Sequence, residues 1–330
     1  MNTRILLSLT AVTTLMLLGP ACSTRVEPSK GPDKVSLRLA WVYDMAEVGI
    51  FVAKDKGFYE KEGINLEIKP GGFGLDPLKL IAAGSDTFGV GGAVNLLLAR
   101  EKGMPLVAIA AEFQHTPVGF IVRKDSGIKN FPGFRGRKVG VQTGADTDTL
   151  YRAMLAKFGM SAKDVREVPI QFDPTPFVSR QIDVLPGYVS NQPITLKNQG
   201  IETAVITAAS QGISVYGNIY FVSEKTLKER PDLVLRFVRA TKAGWEYAMN
   251  NRDAAVSAVK TRSKDFTDVD LEAIYAAVTP FIRPDEASVP LLGMTRSRWE
   301  ATYDVLTKAG LSTVAKPVDE AFTQVDHARQ

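Results

Sequence analysis

Residues 37–68, LRLAWVYDMAEVGIFVAKDKGFYEKEGINLEI, leave few folds open to this chain. Leu37, Leu39 and Trp41 alternate with Arg38 and Ala40, the period-two pattern of a strand. Residues 42–44 break the pattern as a loop, and Ala46, Gly49, Ile50, Val52 and Ala53 then recur at helical spacing. Gly57 stops that helix, and a turn through Phe58, Tyr59 and Gly63 leads into a second strand over 65–68. A strand–helix–strand unit builds a parallel sheet, so the expected class is α/β. Open sheets of that class bind small molecules just beyond the carboxyl ends of their strands. The first such loop carries Trp41, Tyr43, Asp44 and Glu47, which are therefore expected to touch a ligand.

The leading residues read as an export signal. Arg4 precedes an apolar run over 5–18, too short to span a bilayer comfortably, and the small residues Gly19 and Ala21 follow. Cys22, the only cysteine, comes directly after Ala21 and has no disulfide partner within the chain. Its position resembles a lipoprotein cleavage site, with Gly19 standing where such sites usually carry Leu. The expectation is a signal peptide over 1–21, a lipidated Cys22, and a polar, proline-containing tether over 22–34.

The roughly 300 residues that remain exceed what one core usually serves, so two lobes are expected. Formal charge is +4, falling to +3 once Arg4 leaves with the leader, and it is dispersed, which argues against a nucleic-acid partner. Residues 70–76, PGGFGLD, form a glycine-rich loop without the GK[ST] of a phosphate loop. Phe73 within it either covers a planar ligand or belongs to a plain strand-to-helix turn. Residues 106–111, LVAIAA, read as an apolar strand of parallel type.

The chain then crosses into a second lobe near 113–119, where Gln114 offers both a donor and an acceptor. His115 reads as a hinge or surface residue. Residues 142–148 lead into a helix over 149–158, and Asp146 and Asp148 either cap that helix or repel a bound anion. The run IDVLPGYVSNQPI offers Tyr188 for stacking on a ring and Asn191 for a donor–acceptor edge; a buried tyrosine and a helix-capping asparagine are the alternatives. A strand over 201–206 precedes a return crossing marked by Gly212 and Gly217, with Tyr216 beside it, and helices close the fold. Lobe one is thus expected to span 35–114 and 213–330, and lobe two 116–212.

The run AEVGIFVAKDKGFYEKEGINLEI, the glycine-rich loop, the Q-x-x-P after residue 113, and FRGRKVGV at 134–141 resemble the solute-binding proteins of ABC importers. The similar branch serves thiamine-pyrimidine precursors, riboflavin, sulfonates, taurine and nitrate. The resemblance implies a type II periplasmic-binding fold: two lobes, each a mainly parallel sheet flanked by helices, joined by two crossover strands. It also implies a monomer without cofactor or metal that hands its ligand to a membrane permease and its ATPase. GY-x-x-N resembles the precursor branch, with Gln192 where those relatives often carry Glu.

Aromatic residues at strand ends, with Gln114 and Asn191, suit a flat hydrogen-bonding heterocycle such as a pyrimidine or flavin. Asp146 and Asp148 argue against a sulfonate or nitrate. The rivals are a sulfonate, taurine or nitrate carrier, a ligand sensor, and an enzyme like the fungal synthase of the thiamine pyrimidine. That synthase shares the opening motif but has a cysteine-rich iron-binding run, which is missing here. No Ser/His/Asp set or paired-acid motif calls for bond chemistry.

Overall fold

The computed structural model describes residues 31–72, 74–285, 287–312 and 318–325. The leader, Cys22 and Phe73 lie outside the described residues. The chain divides at residue 31, and the unit Pro32–Gln330 holds two five-stranded sheets.

The first sheet is built from β1 (Asp33–Arg38), β2 (Ile64–Lys69), β3 (Phe88–Gly92), β4 (Leu106–Ala111) and β10 (Asn218–Ser223), in the order β2-β1-β3-β10-β4. The second is built from β5 (Val118–Arg123), β6 (Lys138–Val141), β7 (Arg166–Pro169), β8 (Val184–Tyr188) and β9 (Thr203–Thr207), in the order β7-β6-β8-β5-β9. Each sheet has parallel pairs plus one reversed strand, β10 in the first and β5 in the second. Those reversed strands are the ones that receive the chain as it crosses, so the architecture is the two-lobed periplasmic-binding fold. One expectation is corrected here. β4 has β10 as its hydrogen-bonded neighbour and pairs with it antiparallel, not parallel. Burial on both faces makes LVAIAA apolar throughout, whichever way its neighbour runs.

The opening unit forms largely as its pattern requires, with shifted ends. β1 stops at Arg38, so Leu39–Asp44 is all loop, and a 3-10 turn at Met45–Glu47 precedes α1 (Val48–Asp55). The expected turn at Phe58 is a short helix, α2 (Phe58–Lys61), because Tyr59 buries its ring and bonds Thr241 at 2.8 Å. α3 (Pro77–Ala82), capped by Asp76, and α4 (Ala93–Glu101) complete the first pass through lobe one. Lobe two carries α5 (Asp146–Lys157), α6 (Thr175–Val178) and α7 (Gln192–Asn198). α8 (Glu224–Glu229), α9 (Pro231–Asn250), α10 (Arg252–Lys260), α11 (Asp268–Ile282) and α12 (Arg296–Lys308) follow β10.

Lobe one has a core on each side of its sheet. Phe88 stacks on Phe237 of α9 at 3.8 Å, and Trp245 of the same helix packs on Gly49 of α1. On the other side, apolar residues of α4 and α12 merge with Phe120, Phe131, Phe134 and Tyr151 of lobe two into one continuous cluster. The C-terminal segment extends the first sheet at its β4 edge. Ala108 on β4 donates to Ala321 at 2.9 Å, and Phe322 stacks on Trp299, so the tail pairs with the sheet edge.

Two crossing segments join the lobes and run side by side. Thr116 donates to Val215, Gly217 to Phe113, and both Glu112 and Phe113 to Asn218. Gly217 is required there, because a Cβ would stand 2.8 Å from Phe113 Cβ.

Candidate ligand-binding site

The carboxyl ends of β1, β3, β4, β6 and β8 and the start of β10 meet between the lobes. From lobe one, Asp44 caps the 3-10 turn by accepting from the Ala46 amide at 2.8 Å. That turn drives Glu47 inward, to 1% exposure. Glu112, fully buried, follows β4 and accepts from the Tyr220 hydroxyl at 2.6 Å, which itself accepts from Trp245 Nε1 at 2.9 Å. The Asn218 and Glu47 side chains lie near enough to Glu112 to bear on its ionisation.

Burial raises both glutamates. Glu112 rises only to about 7, because Tyr220, Asn218 and Glu47 all donate to its charged form. Glu47 is held further up by burial and by the adjacent Glu112 charge. Two acids so close do not both ionise near neutrality, so the pair holds one proton between them.

From lobe two, Asp146 and Asp148 open α5 and have different tasks. Asp148 accepts from the Gly144 amide at 3.2 Å and from Arg152 at 3.0 Å, which serves the helix end. Asp146 turns towards lobe one and lies against Gly92, where a Cβ would stand 1.9 Å from its Oδ2. Its Oδ1 is buried with no hydrogen-bond partner, and burial raises the carboxyl to about 7. Gly92 pairs with Asn218 across the sheet, so this lobe-two acid abuts the Glu112–Asn218 cluster.

Tyr188 binds the arrangement together. Its hydroxyl donates to Asn218 Oδ1 at 3.0 Å, and its ring meets Phe113 edge-on at 6.4 Å. Burial first, then the charges of Asp146, Glu112, Glu47 and Asp44, push its ionisation far up. Burial also lifts Asp44, to about 6. Asn191 heads α7, but its side chain does not cap the helix. Gln192 packs on Gly187, and its Oε1 is buried without a partner.

Aromatic rings close the mouth. Trp41 meets Phe172, from the loop after β7, with centroids 4.3 Å apart. The Trp41 carbonyl accepts from the Gly71 amide of the glycine-rich loop at 2.8 Å. Val42, Leu75 and Phe172, each about two-fifths exposed, make the rim apolar. Tyr43 turns to its own lobe, donating to the Ile68 carbonyl at 3.1 Å and meeting Phe51 edge-on.

Two more expected contacts, like Tyr43, point elsewhere. Gln114 Nε2 donates to the Gly293 carbonyl, and the Tyr216 hydroxyl accepts from the Thr295 amide, both in the segment leading into α12. They line a separate cavity of about 150 Å³ with Ser214, Asp285 and Arg298. Asp285 there bonds His115 and Arg298, which hold its carboxyl below the usual range. The structure thus brings Asp44, Glu47, Asp146 and Tyr188 together, with Trp41 at the mouth and Asn191 beside Gln192. Glu112, Asn218 and Phe172 are additions. A lone acid closing LVAIAA and a lone aromatic in QFDPTP were the available signals.

Known proteins resemble this chain in sequence and in fold. The chain is 27% identical to the riboflavin-binding protein RibY of Chloroflexus aurantiacus, with 94% of each chain covered. It is 26% identical to the 4-amino-5-hydroxymethyl-2-methylpyrimidine phosphate synthase of Legionella pneumophila, over 75% of this chain and 79% of that one. Among solved structures, the alkanesulfonate-binding protein SsuA of Xanthomonas axonopodis pv. citri bound to MOPS superposes with TM-score 0.69 at 16% identity, covering 90% of this chain and 100% of that one. That likeness shows the periplasmic-binding fold. Residues 45–255 match the model of the family described as NMT1/THI5 like, and the chain belongs to that family.

Proposed function

We propose that the chain is an extracytoplasmic solute-binding lipoprotein that captures a small flat heteroaromatic ligand between its lobes and delivers it to an ABC importer. The observation that carries this reading is the set of polar and aromatic contacts between lobes. Tyr188 reaches Asn218, Thr149 donates to Asn95 at 2.9 Å, and Trp41 meets Phe172. A ligand touching both sides of such a cleft favours the closed form, which a permease can recognise. The binding-protein relative RibY, similar over nearly the whole chain, supports binding as the activity. The lobes would span 35–114 with 213–330, and 116–212, with Cys22 as the lipid anchor of a monomer.

The synthase relative supports a second reading, an enzyme of pyrimidine chemistry. Among the described residues, no group of three or more His, Cys, Asp and Glu is placed to hold a metal ion. Sulfonate binding is disfavoured by Asp146, whose carboxyl occupies the start of α5 where an anion would otherwise meet the helix amides.

A thermal-shift panel on the chain from Ser23 onward tests the reading. It holds riboflavin, pyrimidine precursors, thiamine, taurine, alkanesulfonates and nitrate. A ligand at a hundred times its Kd stabilises the native state by about 2.7 kcal/mol, several degrees in Tm. A shift with a pyrimidine or riboflavin alone supports the proposal. A shift with a sulfonate or nitrate alone rejects the ligand class.

A further inference from the structure

The cleft has more acceptors than donors to meet them. Lobe two contributes Asp146 Oδ1 and Gln192 Oε1, both buried and both without a partner. Lobe one contributes Glu47 Oε2 and Glu112 Oε2, which receive no donor group of the protein, on side chains only 1% and 0% exposed. Among the described residues, no lysine, arginine or histidine makes an ion pair with Asp44, Glu47, Glu112 or Asp146, although twenty-four ion pairs are found elsewhere.

Buried acceptors without donors are costly, and buried carboxylates without counter-charge more so. Gln192 Oε1, on the helix that follows β8, is a further buried acceptor without a partner, and glutamine cannot relieve that deficit by taking up a proton. Asp146 meets lobe one at Gly92, where a Cβ would stand 1.9 Å from its Oδ2. Without a ligand, Glu47 and Glu112 hold one proton between them.

We propose that the site selects a ligand that enters as an organic cation with N–H donors on a flat ring, and that its positive charge replaces a proton of the carboxyl cluster. The exchange balances. Protein with its shared proton plus ligand cation gives the complex plus one proton released to solvent, and no covalent bond other than O–H changes. Aromatic residues at the mouth suit the ring, and the carboxyls at the base suit the charge. This rests on the interlobe cleft being the binding site, as proposed above, and narrows its ligand by charge.

Three compounds of nearly one shape separate the charges: benzamidine is a cation, benzamide is neutral, and benzoate is an anion. Isothermal titration of the chain from Ser23 onward near pH 7, in two buffers of different ionisation enthalpy, reads both affinity and protons released. Benzamidine is expected to bind about tenfold or more tighter than benzamide, benzoate not at all, with proton release on benzamidine binding. Asp146→Asn is expected to remove most of that preference, and Glu47→Gln to cut the proton release, each leaving Tm within a few degrees.

Equal or tighter binding of benzamide or benzoate overturns the inference, as does benzamidine binding without proton exchange. If none of the three binds while riboflavin or another neutral compound shifts Tm, the charge inference falls and the cleft reading stands. If neither series nor panel binds, both fall together.

Discussion

Gly92→Ala should hold the cleft open while leaving each lobe folded. Gly92 has φ −74° and ψ 139°, an extended conformation that alanine adopts freely. The obstacle to a side chain is the other lobe: the new Cβ would lie 1.9 Å from Asp146 Oδ2 and 2.2 Å from its Cγ and Oδ1. Ordinary contact for a methyl begins near 3.4 Å, so Asp146 must retreat by about 1.5 Å, either by turning its side chain or by parting the lobes. Overpacking of this kind costs about 1–3 kcal/mol, and here it falls on the closed form alone. The closed population, and with it apparent affinity, should drop about fivefold to 150-fold. The open form feels no clash, and a glycine-to-alanine change at a compatible backbone even gains about 0.4–1 kcal/mol from the unfolded chain.

The assay needs no known ligand. Trp245 and Trp299 are 1% and 0% exposed, so acrylamide reaches Trp41 first, and Trp41 is shielded by Phe172 only while the lobes meet. Gly92→Ala should raise quenching and the radius of gyration in solution without lowering Tm. Adding Asp146→Ala should restore both. Gly89→Ala, three residues earlier, is the control: its Cβ would strike Phe221 at 2.4 Å and Ile81 at 2.9 Å inside lobe one, so it should lower Tm and leave quenching alone. If Gly92→Ala destabilises as Gly89→Ala does, or leaves Trp41 shielded, the interlobe contact at Gly92 is not the one that closes the cleft.

Trp41→Ala and Phe172→Ala should each loosen binding of any panel ligand, and the double mutant should lose less than the sum, because the ring pair is worth about 0.5–1.5 kcal/mol; strictly additive losses would show that the rings do not act as a unit. Asp44, Glu112 and Asp146 have folded-state pKa values raised to about 6, 7 and 7. A raised carboxyl binds more protons folded than unfolded, so its stabilising contribution is complete below the unfolded value and is lost as pH rises through the folded one. Ligand-free Tm should therefore decline from about pH 4 to 7 on their account, and Asp146→Asn should flatten the decline; an unchanged profile would place Asp146 in solvent. Cys22→Ser should move the exported protein from the membrane fraction to the soluble fraction, and a wild-type protein found already soluble would reject the lipid anchor.

How much of this was legible depends on the distance over which each feature is decided. The 37–68 unit declared itself because alternation at Leu37 and Leu39 and helical spacing from Ala46 are local signals of burial. The direction of β4's neighbour was not local. All six residues of LVAIAA are buried, and burial on two faces looks the same beside a parallel or an antiparallel strand. The crossing segments show the same limit within three residues. Phe113 meets Tyr188 while Gln114, the next residue, bonds Gly293, so successive side chains of the first crossing serve the cleft and the segment behind it in turn. Nothing in the sequence says which alternate residue faces which way until the second crossing and the C-terminal segment are in place. Asp146 and Asp148 are sharper still. Both fit the rule that acids favour helix starts, and local chemistry cannot divide the labour between them. Tertiary structure does: Arg152 and the Gly144 amide bind Asp148, while the glycine at position 92 leaves room for the Asp146 carboxyl alone. A residue of the cleft is therefore marked less by its own type than by a vacancy opposite it, and here the vacancy is a missing side chain on the other lobe.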